Sequence, residues 1–99
     1  MNFKTERLIY VMKVYSVYDE KALVYGLPVC FSTDVLALRS FADLVSNPNS
    51  NVNKYPSDFK LYRIGEFNDA NAEMISCTPV FLAVGTQYAF NVCSAENTD

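Results

Sequence analysis

The residues of this chain whose types could do chemistry are few, and their spacing favours binding over bond-making. There is no His among the 99 residues, which removes the usual general base near neutral pH and the commonest metal ligand. Cys30, Cys77 and Cys93 are odd in number and scattered, with neither C-x-x-C spacing nor a His to activate a thiol. They read as small core or half-buried side chains. Glu66, Asp69 and Glu73 fall in or beside "EFNDANAE", which lacks the alternating oxygen ligands and central Gly of a calcium loop and reads as a solvated turn. No catalytic residue, metal or cofactor is expected, so the chain is not read as an enzyme.

What does recur is a Lys and a Tyr two positions apart. Lys13 and Tyr15 share one face of a strand-like segment, and Lys60 and Tyr62 share one face of another. If those strands are neighbours, the four side chains cluster, with Arg63 next in line and Lys54 and Tyr55 in the loop before. Lys13, Tyr15, Lys54, Tyr55, Lys60, Tyr62 and Arg63 are therefore the candidate nucleic-acid-binding residues. Rings on an open sheet stack on single-stranded bases at about 1–3 kcal/mol each, and four cations on phosphates imply a log–log salt slope of about −3. The competing reading packs these tyrosines under a helix or into a subunit interface. Eight Lys and Arg against eleven Asp and Glu give a net charge of −3 and a pI near 4.8, the wrong sign for coating nucleic acid. Any DNA site must concentrate the few cations available.

The elements that must position these residues follow from the hydrophobic pattern. A 51% hydrophobic composition with seven Tyr and seven Phe suffices for one domain with one core. "LIYVMKVYSVY" is rich in β-branched and aromatic types and runs through "DEK" into a hairpin partner, "ALVYGLPVCF", where Gly26 and Pro28 predict a bulge and an edge position. The period then changes. "STDVLALRSFADLVSNP" sets Val35, Leu38, Phe41, Ala42 and Val45 at helical spacing, with Ser32 or Thr33 as cap, Asp34 at the positive end of the dipole and Asn47-Pro48 as the stop. Leu36 falls on the polar side.

"NPNSNVNKYPSD" reads as a crossover loop, of a length that also suits binding. "DFKLYRIGEF" is a third strand, "NDAN" a turn, and "AEMISCTPVFLAVG" a fourth strand interrupted at Pro79. The expected fold is α+β in the order β-β-α-β-β, a four-stranded, mainly antiparallel sheet with one helix packed on one face. The longest apolar runs, "LIYVM" and "VFLAVG", fall far short of the roughly 20 residues of a membrane span, and dispersed cysteines without a leader-like segment before them suit a reducing cytoplasm.

Taken together, "MKVYSVYDEKALVYGLPV", "ALRSFADLVSNPNSNVNKYPSDFKLYRIGEFND" and "TPVFLAVG" resemble the small non-structural protein of gokushoviruses, icosahedral single-stranded DNA phages of the Microviridae. The resemblance spans Met12 to about Val84, and "YPSDF" followed by "IGEFND" is its most specific part. It implies a DNA-binding protein made in the infected bacterial cytoplasm and absent from the capsid, acting in single-strand DNA synthesis or genome packaging. It brings no catalytic residues. Tyr55 stands where the family often has His, so a titratable group at that position is lost. Residues 1–11 precede the family's usual start and are read as an N-terminal extension, partly flexible or lengthening the first strand. Residues 12–93 are read as the domain and 94–99 as a flexible tail. The expected partner is single-stranded DNA. The alternative is a homo-oligomeric interaction module, for instance a homodimer, that recruits the phage replication initiator or procapsid without touching DNA.

Overall fold

A computed structural model describes residues 11–89. The tail expected over 94–99, Cys93 and, apart from Val11, the expected N-terminal extension lie outside that range.

β1 (Met12–Asp19) is central, with strands paired along both of its edges, and Val14, Tyr15 and Ser16 at its middle are buried. Its hairpin partner is broken into β2 (Val24–Tyr25) and β3 (Val29–Phe31), both antiparallel to β1 along the same edge. The break falls at Gly26 to Pro28, as the missing Pro amide requires. α1 (Asp34–Ser46) crosses the sheet, and its cap is Thr33, whose hydroxyl accepts from the Leu36 amide.

The twelve-residue connection is not a bare loop. It contains α2 (Asn51–Lys54), capped by the Ser50 hydroxyl, and a 3-10 turn over Pro56–Asp58. Ser50, which satisfies two amides, and Pro at the start of the next turn explain why an Asn-rich stretch winds up here. Val52 of α2 is buried in the main core, so the connection plugs one end of the domain.

β4 (Phe59–Asn68) returns antiparallel to β1, and β5 (Glu73–Val84) pairs with β4 at the far edge. The α+β class and β-β-α-β-β order hold, with the second strand in two pieces. The expected interruption of the last strand is instead a shift of register. Arg63 pairs with Val80 and Gly65 with Ser76, so Cys77 to Pro79 face Ile64 alone while the strand continues. An edge strand tolerates Pro there because no ladder bond is forfeited. Gly65 is required at this crossing, since a Cβ would lie 2.4 Å from the Ile75 carbonyl oxygen.

The core lies between α1 and one face of the sheet: Tyr15, Leu61 and Ala83 from the strands meet Ala37, Phe41 and Val45 from the helix. The stripe of α1 is thus turned slightly from the one its sequence suggests. Ala37 is buried whereas Val35 is exposed, as is Leu36. Leu38 is half-buried against the core and Phe41 is at its centre, in edge-to-face contact with Tyr88 at 6.1 Å. Cys30 and Cys77 are exposed rather than core residues, because both belong to edge strands. Among the described residues, no helix is long and apolar enough to cross a membrane.

Candidate functional site

The seven residues singled out by type and spacing do not form one patch, and the reason is register. β1 and β4 are neighbours, but Tyr62 lies opposite Ser16 and Lys60 opposite Tyr18. Lys60 and Tyr62 therefore share a face with Ser16 and Tyr18. Tyr15 and Arg63, which are partners, stand on the other face with Leu61.

On that covered face, three of the seven converge on Asp34 at the first turn of α1. The Tyr15 hydroxyl donates to Asp34 Oδ1 at 2.6 Å and Arg63 donates to Oδ2 at 2.5 Å, while Lys13 is close enough to act on the same carboxylate through its charge. The Tyr15 hydrogen bond, with the Arg63 hydrogen bond and charge, holds the Asp34 carboxyl below its ordinary range against the opposing effect of burial. Burial first, then the Asp34 bond and charge, push the Tyr15 hydroxyl well above the ordinary tyrosine range. This cluster ties the helix N-terminus to the sheet. Tyr15 is 0% exposed and offers no ring to a ligand, which matches the packing reading of that tyrosine. Lys54 and Tyr55 sit apart from both faces, at the end of α2; Tyr55 borders a shallow cleft of about 370 Å³ with Asp19, Lys21, Asn51, Asp58 and Phe59.

Among the described residues, the helix α1 packs on the Tyr15 face, and the opposite face assembles rings from four strands. Tyr18 of β1 and Tyr25 of β2 are hairpin partners with centroids 4.6 Å apart. Tyr62 of β4 meets them edge-on at 6.3 Å and 5.8 Å, and Phe81 of β5 meets Tyr62 at 5.9 Å. Tilted and edge-to-face contacts in this range suit the ring quadrupoles. Tyr25 and Phe81 are 45% and 50% exposed, and Tyr18 and Tyr62 are half-buried. Phe81 reaches this face through the register shift at Leu82: Leu61 pairs with Ala83 but Tyr62 with Phe81, so Phe81 and Ala83 point to opposite sides despite being two apart.

Lys60 borders the rings and is bound to the Glu20 carboxylate. Its side chain is mostly covered, whereas Lys54 is exposed. Tyr18, Tyr25 and Phe81 were not among the candidates. The pair Tyr18 and Tyr25 was legible, because "YDEKALVY" places them symmetrically about the turn; Phe81 was not, because nothing in the sequence marks the shift at Leu82. Among the described residues, no group of three or more Cys, Asp or Glu is placed to hold a metal ion.

Fold and site together define a small α+β protein whose sheet is covered by a helix on one side and presents a row of aromatic rings on the other. Residues 12–88 match the Phage ORF5 protein family, and the chain belongs to that family, a group of bacteriophage proteins. No curated protein and no solved structure matches the chain.

Proposed function

We propose that this phage protein is a non-structural accessory factor that holds single-stranded DNA on the open aromatic face of its sheet, during single-strand synthesis or packaging of a single-stranded genome. The observation that carries the reading is the row Tyr25, Tyr18, Tyr62 and Phe81, four rings drawn from four strands onto the face opposite α1. Stacking platforms on open sheets serve single strands because every base has a π-face, whereas duplex DNA hides its bases. The resemblance to the gokushovirus non-structural protein supports the same role and points to a Microviridae host cell cytoplasm as the setting. The protein acts by binding, without a catalytic step.

The electrostatics reshape what such binding looks like. Of the candidate cations, only Lys60 stands on the aromatic face; Lys13 and Arg63 belong to the Asp34 cluster. Affinity is therefore carried by stacking. Two or three stacked bases at about 1–3 kcal/mol each give at best a Kd of a few tenths of a micromolar. One phosphate contact gives a salt slope of about −0.7, so a threefold rise in salt weakens binding only about twofold. A fluorescence anisotropy titration of an oligothymidylate and a duplex of equal length, at two salt concentrations, tests this. Preference for the single strand with a shallow slope is expected; equal duplex binding or a slope near −3 would reject the stacking site.

A second reading has its own observation. Met74, Ile75 and Val80 are exposed on β5, the edge strand that also bears Phe81, and a long apolar edge is a template for another chain. In that reading the protein is a homo-oligomeric interaction module that recruits the replication initiator or procapsid. A dimer mass in light scattering together with no DNA binding at low salt would favour it.

A further inference from the structure

Lys60 is the cation best placed to meet a backbone phosphate beside bases stacked on Tyr18 and Tyr62, being opposite Tyr18 and two residues before Tyr62. It is already occupied. Its ammonium group is bound to the Glu20 carboxylate, and Glu20 is set in place by its own amide, which donates to the Asp58 carbonyl oxygen at 2.8 Å. The neighbouring Asp19 carboxylate is engaged otherwise, accepting the Lys21 and Ala22 amides at 3.0 and 3.1 Å to close the first hairpin turn. The turn thus divides two adjacent acids between two tasks, one holding the backbone and one holding Lys60.

Resting on the reading that single-stranded DNA lies on the aromatic face, we infer that Glu20 is a built-in competitor for the phosphate site of Lys60 and keeps the affinity of that face low. A carboxylate and a phosphate monoanion are both oxygen acceptors for one ammonium group, so binding requires an exchange of one for the other. The exchange is easy, because a pair in which Glu20 is half-exposed to water is held only weakly. An easily displaced internal acid lets the protein release a genome it must hand on, and confines retention to strands that offer both bases and phosphates.

The test is a titration of an oligothymidylate against the full chain and three variants at two salt concentrations, with thermal midpoints recorded. Glu20→Gln keeps the hydrogen-bonding capacity and removes the charge; it should tighten binding about two- to fivefold while the salt slope stays near about −0.7, since Lys60 meets one phosphate in either case. Asp43→Asn on α1 makes the same change in net charge away from the rings and should leave both quantities at the wild-type values. Adding Lys60→Gln to Glu20→Gln should erase the gain. If the wild type binds but Glu20→Gln does not tighten it, or Asp43→Asn matches Glu20→Gln, Glu20 is no competitor while the stacking site survives. If neither the wild type nor Glu20→Gln binds at low salt, the stacking site falls and this inference falls with it.

Discussion

Tyr15 and Tyr62 stand on the two central, adjacent strands, yet one is sealed and the other presented. Tyr15 is buried against Phe31, its ring centroid 5.9 Å away, with its hydroxyl spent on Asp34. Tyr62 lies among three other rings on the face opposite α1, where Tyr25 and Phe81 are 45% and 50% exposed. The cations divide in the same way: Lys13 and Arg63 serve the carboxylate that docks the helix, and Lys60 remains beside the rings with a surface partner. The difference teaches that residue type says little about role in a sheet. Which face α1 covers, and how β1 is registered against β4, decide whether a Lys-and-Tyr pair is mortar or binding surface.

That contrast can be broken by substitution. If the covered face holds the fold, Phe41→Ala should cost about 3–5 kcal/mol, enough to unfold much of a domain this small, read as a lowered denaturant midpoint. An unchanged midpoint would mean that the helix is not what seals this face.

Asp34→Ala comes next, at about 1–3 kcal/mol, because it leaves the buried Tyr15 hydroxyl and the Arg63 head without their acceptor. Its signature is in the pH profile. The folded Asp34 pKa lies below its unfolded value, so its contribution is present above about pH 4 and lost as pH falls through the folded pKa. The folded Tyr15 pKa lies above its unfolded value, so its contribution is complete below about pH 10 and drains away as pH rises beyond that. Asp34→Asn should flatten the acid limb of stability and Tyr15→Phe the alkaline limb, each followed by thermal melts across pH.

The smallest effect sharpens the comparison from outside it. Both hairpins use the same five-residue closure: Asp19 and Asn68 accept side-chain bonds from the turn amides, the Leu23 and Ala72 amides return to their carbonyls, and Leu23 and Ala72 have φ of 61° and 64°. Ala72→Gly removes the Cβ that this left-handed conformation disfavours, and should stabilise the protein by about 0.5–1 kcal/mol without touching either face. A midpoint shift in the opposite direction would contradict that turn geometry.

Much of this architecture was legible in the sequence, and the limits have physical causes. The strand, hairpin and helix patterns of 12–46 are local, and the Thr33 cap, the break at Pro28 and the stop at Asn47 are local as well. Ala37 stands four residues before Phe41 and eight before Val45, so it shares their face, whereas Val35 is about 200° round the helix from it; the larger apolar residue drew the expected stripe toward the wrong side. Alternation within one strand is local, and it does set Lys60 beside Tyr62. What no single strand contains is its register against another: the shifts between Val14 and Tyr15 in β1, between Arg63 and Gly65 in β4, and at Leu82 in β5 split the expected patch and built the row of rings from residues far apart in the chain.

The central claim is that the aromatic face, not the helix-covered one, is the working surface. It is tested most directly by titrating an oligothymidylate against the wild type, Tyr62→Ala and Tyr15→Phe, with circular dichroism confirming that each is folded. Loss of one stack at about 1–3 kcal/mol predicts about 5- to 150-fold weaker binding for Tyr62→Ala, and wild-type affinity for Tyr15→Phe. Unchanged affinity in Tyr62→Ala, or a loss confined to Tyr15→Phe, would contradict the account.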